Sequence, residues 1–473
     1  MRLAVRLAVS GACAAALAGL PATAWADHDT RPDTTSNMHA KGHSLDFGNF
    51  DLPDGQRDAN SDLAFWGNRA FVGDYDGFRV VDISDPDAPA EIARARCNGD
   101  QGDVVVWRDI LVRSWNSPAP AGRTCDGSPV PTGFEGVHVF DISDPSNPSM
   151  IDALELECGS HTATLAGVSG GDLIVYSNNS SSSGCAQQPG NPRSADDPLG
   201  DFTDVIAVDL ETKDARLLRR EELAGPTTNV RTGCHDAGVI RGSVNLAACA
   251  SADTINVWGI GGTRGGTLDD PALLFTVTEP GVGQAGTNGR WHSAAFTWDG
   301  EVLIAGWEPG GGGAAECEAT DPDVDKSLFF YDTDDAIDDG TPAGTKLGRW
   351  VLPNPQGADE NCTVHNYNIV PLRSGRYVAV GGNYQAGTWV TEFTDPANPV
   401  TLGWSDPPSL GPGAFCGGKC KIGGAWSSYW YNNFIYEDEI TKGMMVFRFS
   451  GNETGGALRL SHLNPQTQGF SLP

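Results

Sequence analysis

The sequence predicts an all-β fold, a seven-bladed β-propeller of four-stranded antiparallel blades. An apolar alternation running into an Asp-Pro turn recurs as FRVVDISDPDAP at 78–89, VHVFDISDPSNP at 137–148 and TWVTEFTDPANP at 388–399. Internal repetition of this kind marks solenoids, propellers and arrays. The 60 Gly and 30 Pro among 473 residues describe short strands joined by many turns. No stretch sustains helical periodicity, and strand patterns resume after every loop, so one closed ring accounts for a length otherwise suited to two or three domains.

Residues 1–26 carry Arg2 and Arg6, an apolar stretch from Leu7 to Leu20 and a small-residue site at Ala24-Trp25-Ala26. That is the pattern of a secretory signal peptide. Residues 27–56 form an N-terminal segment that could contribute a closing strand, and 57–473 form a single propeller. Strand runs within it group in fours. The first blade uses 62–66, 69–73, 78–82 and 90–95. The second uses 103–107, 110–114, 137–141 and 150–156, with an insertion at 115–135. Third, fourth, fifth and sixth blades open at His161, His235, His292 and His365, and the seventh is expected at 426–431, 433–436, 444–449 and 457–462. In the organising run Phe78 and Val80 alternate with Arg79 and Val81, Pro86 fixes φ, and Asp85 can accept from nearby backbone N–H groups. These acids are structural, not ligands.

The formal net charge is -30, and loss of two Arg with residues 1–26 takes it to -32. Such an acid excess argues against nucleic acid and anionic membranes as partners. Nothing after Ala26 approaches the roughly 18 apolar residues of a membrane span. The chain is therefore expected to be secreted and extracellular, without membrane insertion, as a monomer. Ten cysteines follow residue 26, an even set that suggests disulfides in an exported chain. Sequential pairing would staple individual blades, and Cys234 with Cys249 is the best case, with Arg241-Gly242 at the hairpin turn. Cys416 and Cys420 read as a tight structural loop.

The runs FRVVD, VHVFD and VIAVD, two of them followed by Ile-Ser-Asp-Pro, resemble the LVIVD-repeat family of secreted bacterial β-propellers. TGCHD (232–236), RWHSAAF (290–296), ENCTVHN (360–366) and WSSYWYNNFIY (426–436) accompany them, and the resemblance extends over most of 58–463. It implies a secreted or surface propeller and supplies no catalytic residues. Ile255-Asn256-Val257-Trp258-Gly259 departs from the pattern by lacking its Asp.

His161, His235, His292 and His365 each open the innermost strand of a blade, in four consecutive blades. Equivalent strand starts form a ring at one end of the channel, where imidazoles could hold one Fe, Cu or Zn ion. Equivalent positions in the other blades fall near Asn60, Asp100 and Gly424. The alternative is that each histidine only bonds the backbone of the next blade. Glu308, ahead of Gly310 to Gly313, reads as a flexible-loop residue that could approach the channel mouth. Asp321, Asp323 and Asp325 have calcium-loop spacing without the Gly and Glu of an EF-hand. Trp291, Trp389, Trp426 and Trp430 form either a ligand-binding wall or packing. Two functions follow: an extracellular scaffold that presents loops 115–135, 178–203 and 308–326 to a protein or glycan, and, as the alternative, a metal-dependent oxidoreductase using the four histidines.

Overall fold

Alternation along Gly77–Asp82 splits the strand between two interfaces. Phe78 and Val80 pack with Phe71 of the same blade and with Val106 and Phe140 of the next, whereas Val81 and Ile83 pack with Leu63, Tyr429 and Met444 on the other side. A sheet covered on both faces has no solvated side, and repeating that arrangement radially gives a propeller. In this computed structural model the described residues are 33–49, 57–99, 101–179, 202–225, 233–242, 244–282, 289–333 and 342–469. The expected signal peptide, residues 1–26, Asp100, Cys185 and most of loop 178–203 lie outside them.

The described strands form seven blades, and the helical elements are short 3-10 turns. Blade one comprises Asn60–Trp66, Arg69–Asp74, Gly77–Asp82 and Ala90–Arg96, paired antiparallel in that order. Blades two to six begin with Val104–Trp107, Thr162–Ser169, Asp236–Ile240, Gly289–Phe296 and Tyr367–Ile369. The Asp-Pro turns behave as expected, since Asp85 Oδ1 accepts the Asp87 N–H at 3.0 Å and Asp144 Oδ1 accepts the Ser146 N–H at 3.0 Å.

Blade seven is closed differently from the expectation. Ala425–Tyr431, Phe434–Glu439 and Gly443–Phe449 are its own, but the fourth strand is Met38–Leu45, not 457–462. After Phe449 a 3-10 turn at Asn452–Thr454 and the glycines 455 and 456 lead the chain away from the outer edge. The N-terminal strand covers that edge, which would otherwise expose unpaired backbone groups. It is anchored from blade one. The fully buried Arg79 reaches Asp46 at 3.1 Å and Ser44 at 3.2 Å, and Arg94 reaches Asp46 at 2.9 Å.

The C-terminal segment runs along the inner strands. His462–Leu463 pairs with Asn60–Trp66, and Thr467–Gln468 pairs in parallel with Asp236–Ile240. These contacts fall at Trp66 and Ile240, the strand ends opposite the histidines. Deeper in the channel Gln466 Nε2 donates to Asp62 at 3.0 Å and to Asp236 at 3.3 Å. Burial pushes Asp62 upward and Asp103 and Asp236 well above the usual carboxylate range, so these acids hold their protons more tightly than exposed ones.

Disulfides join Cys97 to Cys125, Cys234 to Cys249, Cys317 to Cys362 and Cys416 to Cys420, and Cys158 is also disulfide-bonded. Cys234–Cys249 staples one blade, as expected. Cys97–Cys125 and Cys317–Cys362 instead tie neighbouring blades, because the insertions carrying Cys125 and Cys317 fold back across the blade boundary.

Glu437 gives a pH test of the core. Burial pushes this residue from 4.5 up to about 7, and the Thr388 hydroxyl donates to it. The folded chain keeps the proton up to about 7, whereas the unfolded chain releases it near 4.5, so wild-type stability falls as pH rises through that window. Glu437→Gln lacks this fall. Its melting temperature should gain on wild type between pH about 5 and about 8, and an unchanged difference between those pH values refutes the assignment.

Candidate metal centre

The four histidines do converge. Ring centroids of His161 and His235 are 4.3 Å apart, those of His235 and His292 4.1 Å, and those of His292 and His365 4.0 Å. They form a row along one wall of a cavity of about 210 Å³. Each is at most 9% exposed.

A local backbone device turns His292 inward. At His292 the inner strand of blade five bulges between Trp291 and Ser293, and blade seven bulges in the same way at Trp426, between Ala425 and Ser427. Such bulges re-aim a side chain. The seventh-blade equivalent of the histidines is therefore Trp426, not a position near Gly424. Asn60 is engaged elsewhere, with Arg79 and Ile440, and the pocket receives Tyr75 from blade one and Gln101 from blade two.

Blade-to-blade hydrogen bonds set the ring tautomers. His235 Nδ1 lies 3.1 Å from the carbonyl oxygen of His292, and His365 Nδ1 bonds the carbonyl of Trp426. A carbonyl only accepts, so Nδ1 carries the proton and Nε2 of the neutral ring keeps its lone pair. Burial, reinforced by neighbouring imidazoles and Arg290, holds His235 and His292 well below 6.5, and burial lowers His365. All three are neutral at pH 7.

Glu308 is not on a flexible loop. It lies in the strand Val302–Pro309, 3% exposed, opposite Arg290 in the sheet register. Its Oε2 is 3.3 Å from Arg290 Nε, and its Oε1 accepts the Tyr384 hydroxyl at 2.8 Å and lies 3.8 Å from His365 Nε2. Gly312 makes room for this pairing, since its φ is +74° and a Cβ there would meet the Tyr384 hydroxyl at 2.3 Å. One ligating atom from each of His235, His292 and Glu308 lies within 4.8 Å of the others. His365 adjoins this set through Glu308, while His161 stands at the end of the row, its Nε2 3.4 Å from Gln101 Nε2.

Other sequence candidates separate. Of the four tryptophans, Trp426 lines the cavity, while Trp291, Trp389 and Trp430 are core residues. The carboxylates at 321–325 turn to separate partners: Asp321 to the Glu318 N–H, Asp323 to Arg349 and Asp325 to Trp307. Cys97, Cys125 and His138 also cluster, but the two sulfurs are joined to each other. Sequence reading missed Arg290, Tyr384 and Gln101. Arg290 had a signal, being two residues from His292, whereas Tyr384 arrives from a turn in another blade.

The LVIVD repeat matches residues 57–96 and 134–154. The chain carries LVIVD repeats in these two segments. Those segments contain the organising runs of blades one and two; the runs at 205–209 and 388–399 fall outside the match. No curated protein matches the LVIVD-repeat chain. Among solved structures it is similar to the WD40 β-propeller domain of Doa1, with 12% identity, a TM-score of 0.45 and 89% of this chain and 99% of that one covered. Saccharomyces cerevisiae Sqt1 gives 9%, 0.48, 87% and 99%. A protein from Lactobacillus plantarum gives 10%, 0.47, 85% and 96%.

Tyr384→Phe should lower stability by about 1–3 kcal/mol, because it removes the hydroxyl donor to the buried Oε1 of Glu308. Urea denaturation checks this, and an unchanged midpoint contradicts a structural role for that hydrogen bond.

Proposed function

We propose that this LVIVD-repeat propeller is exported and binds a transition-metal ion, iron, copper or zinc, in the histidine pocket. The observation that carries the reading is the row of buried imidazoles, two of which, His235 and His365, have Nδ1 anchored to a backbone carbonyl, a support commonly found behind metal-ligating histidines. His235 and His292 with Glu308 make a set of two imidazoles and one carboxylate, suited to iron(II) or zinc, and His365 and His161 extend it. Bonds of about 2.0–2.2 Å would draw these atoms inward. An ion there supplies Lewis acidity or, for iron and copper, oxygen or redox chemistry, which is the route to an oxidoreductase.

Export is supported by the pattern of residues 1–26 and by the four disulfides among the described residues, which suit an oxidising compartment. Protein or glycan recognition on long loops has less behind it. Cys125 and Cys317 tie two of those loops to neighbouring blades, and the 308–326 loop helps to wall the pocket.

Protein purified without a histidine tag and reconstituted with each metal in turn should retain about one equivalent by elemental analysis. His235→Ala combined with His292→Ala should lose it while melting cooperatively. Less than about a tenth of an equivalent on wild type removes the metal reading and leaves the interaction scaffold. Export is checked separately, by mass spectrometry and thiol titration of the secreted fraction. The expected chain begins at Asp27 and shows no free thiol under denaturing, non-reducing conditions; an intact Met1 or more than one reactive thiol counts against it.

A further inference from the structure

We infer that the histidine pocket takes a small organic anion, a carboxylate carried on a single flat ring. The inference deepens the metal reading by naming the ligand class of the same pocket. Three features of the lining point to it.

The first is charge. Around the cavity stand two arginines, Arg57 and Arg290, against one carboxylate, Glu308, in a chain of net charge -30. Beyond a Debye length of about 8–10 Å the surrounding acid excess is screened, and the local sign decides what binds. Adding a divalent ion at the histidines makes the pocket more positive still. Arg57 is exposed, with its guanidinium 5.9 Å from the centroid of the Tyr75 ring, so it stands where an entering anion first meets the protein.

The second is the apolar, aromatic wall. Tyr75, Tyr384, Phe415, Ile422 and Trp426 line the same cavity, and Trp426 stands edge-on to both Tyr75 and Tyr384, with centroids 6.2 Å away in each case. An aromatic wall of this kind offers faces and edges against which a flat ring can pack. The cavity of about 210 Å³ is smaller than the roughly 300–1,000 Å³ of drug-sized sites, which restricts the ligand to one ring and a short substituent.

The third is the glycine stretch. Gly311 and Gly313 line the pocket, and Gly310, Gly311 and Gly312 all have positive φ before Gly313 returns to φ −103°. Side-chain-free backbone allows a ligand to approach main-chain N–H groups, which are donors for an anion.

Calorimetry with benzoate, its neutral isostere benzamide, benzylammonium and inorganic phosphate tests the proposal on both metal-free and zinc-loaded protein. Benzoate should bind at least about ten-fold more tightly than benzamide, with the preference weakened by salt and reduced several-fold in Arg57→Ala, an exposed position whose change leaves the core intact. Benzylammonium should not compete. Equal affinity for benzoate and benzamide, or tighter benzylammonium, overturns the anionic half, and phosphate as tight as benzoate overturns the aromatic half. Benzoate binding by protein that retains no zinc upholds the ligand class and removes the metal. Zinc retention without benzoate binding does the reverse.

Discussion

The inner three strands of a blade are buried on both faces, so each blade is fully packed only when its neighbours in the ring are in place. Completion depends on one strand, Met38–Leu45, which arrives from the far end of the chain to lie beside Gly443–Phe449. The strand is held by more than its ladder. Arg79 has no exposed surface and joins Asp46, Ser44 and Asn60, so the third strand of blade one clamps the seam where blade seven meets it. A guanidinium in such a place needs its partners, because a buried charge without them is costly. Apolar packing builds the blades, and this polar clamp determines where the circle ends.

The same closure creates the channel, and the channel imposes a second constraint. Inner strands converge, so whatever side chains they carry inward are removed from water together. At one end these are imidazoles, which become neutral; farther in they are Asp62, Asp103 and Asp236, which take up protons more readily and are bridged in part by Gln466. The C-terminal segment seals the end opposite the histidines by pairing with blades one and four. The pocket is therefore approached from the histidine end, past Arg57 and the glycine stretch. Nδ1 bonding the next blade and Nε2 keeping its lone pair are compatible roles, so a structural and a ligating use of His235 and His365 are not exclusive.

Much of this was legible from residues alone. Alternation in Phe78 to Asp82 and its copies identified third strands, Asp-Pro identified the turns that follow them, and four histidines at one repeat position identified a convergent layer before any coordinate. These signals are local or periodic, and a repeat turns local pattern into global position. Cys234 with Cys249 was readable for the same reason, since a hairpin places its two strands opposite each other.

Tertiary structure alone decided the rest. Ala457 to His462 has strand-like composition, but the outer edge of blade seven was taken by a segment some 400 residues away, a competition no local pattern records. Glu308 looked like the start of a loop, and only pairing of Val302–Pro309 with Gly289–Phe296 carried it to the histidines. Arg290 faces it across that pairing, and Tyr384 reaches it from the next blade. Trp426, two residues beyond the expected equivalent, was displaced by a bulge, and one extra residue in a strand changes which side chain faces inward. The sequence by itself determined the repeat, its blades and the ring of imidazoles, because strand periodicity and turn chemistry act over a few residues. Closure, the carboxylate beside the histidines and the charge of the pocket were decided by packing between blades, because they depend on which distant residues the completed circle brings within a few ångströms.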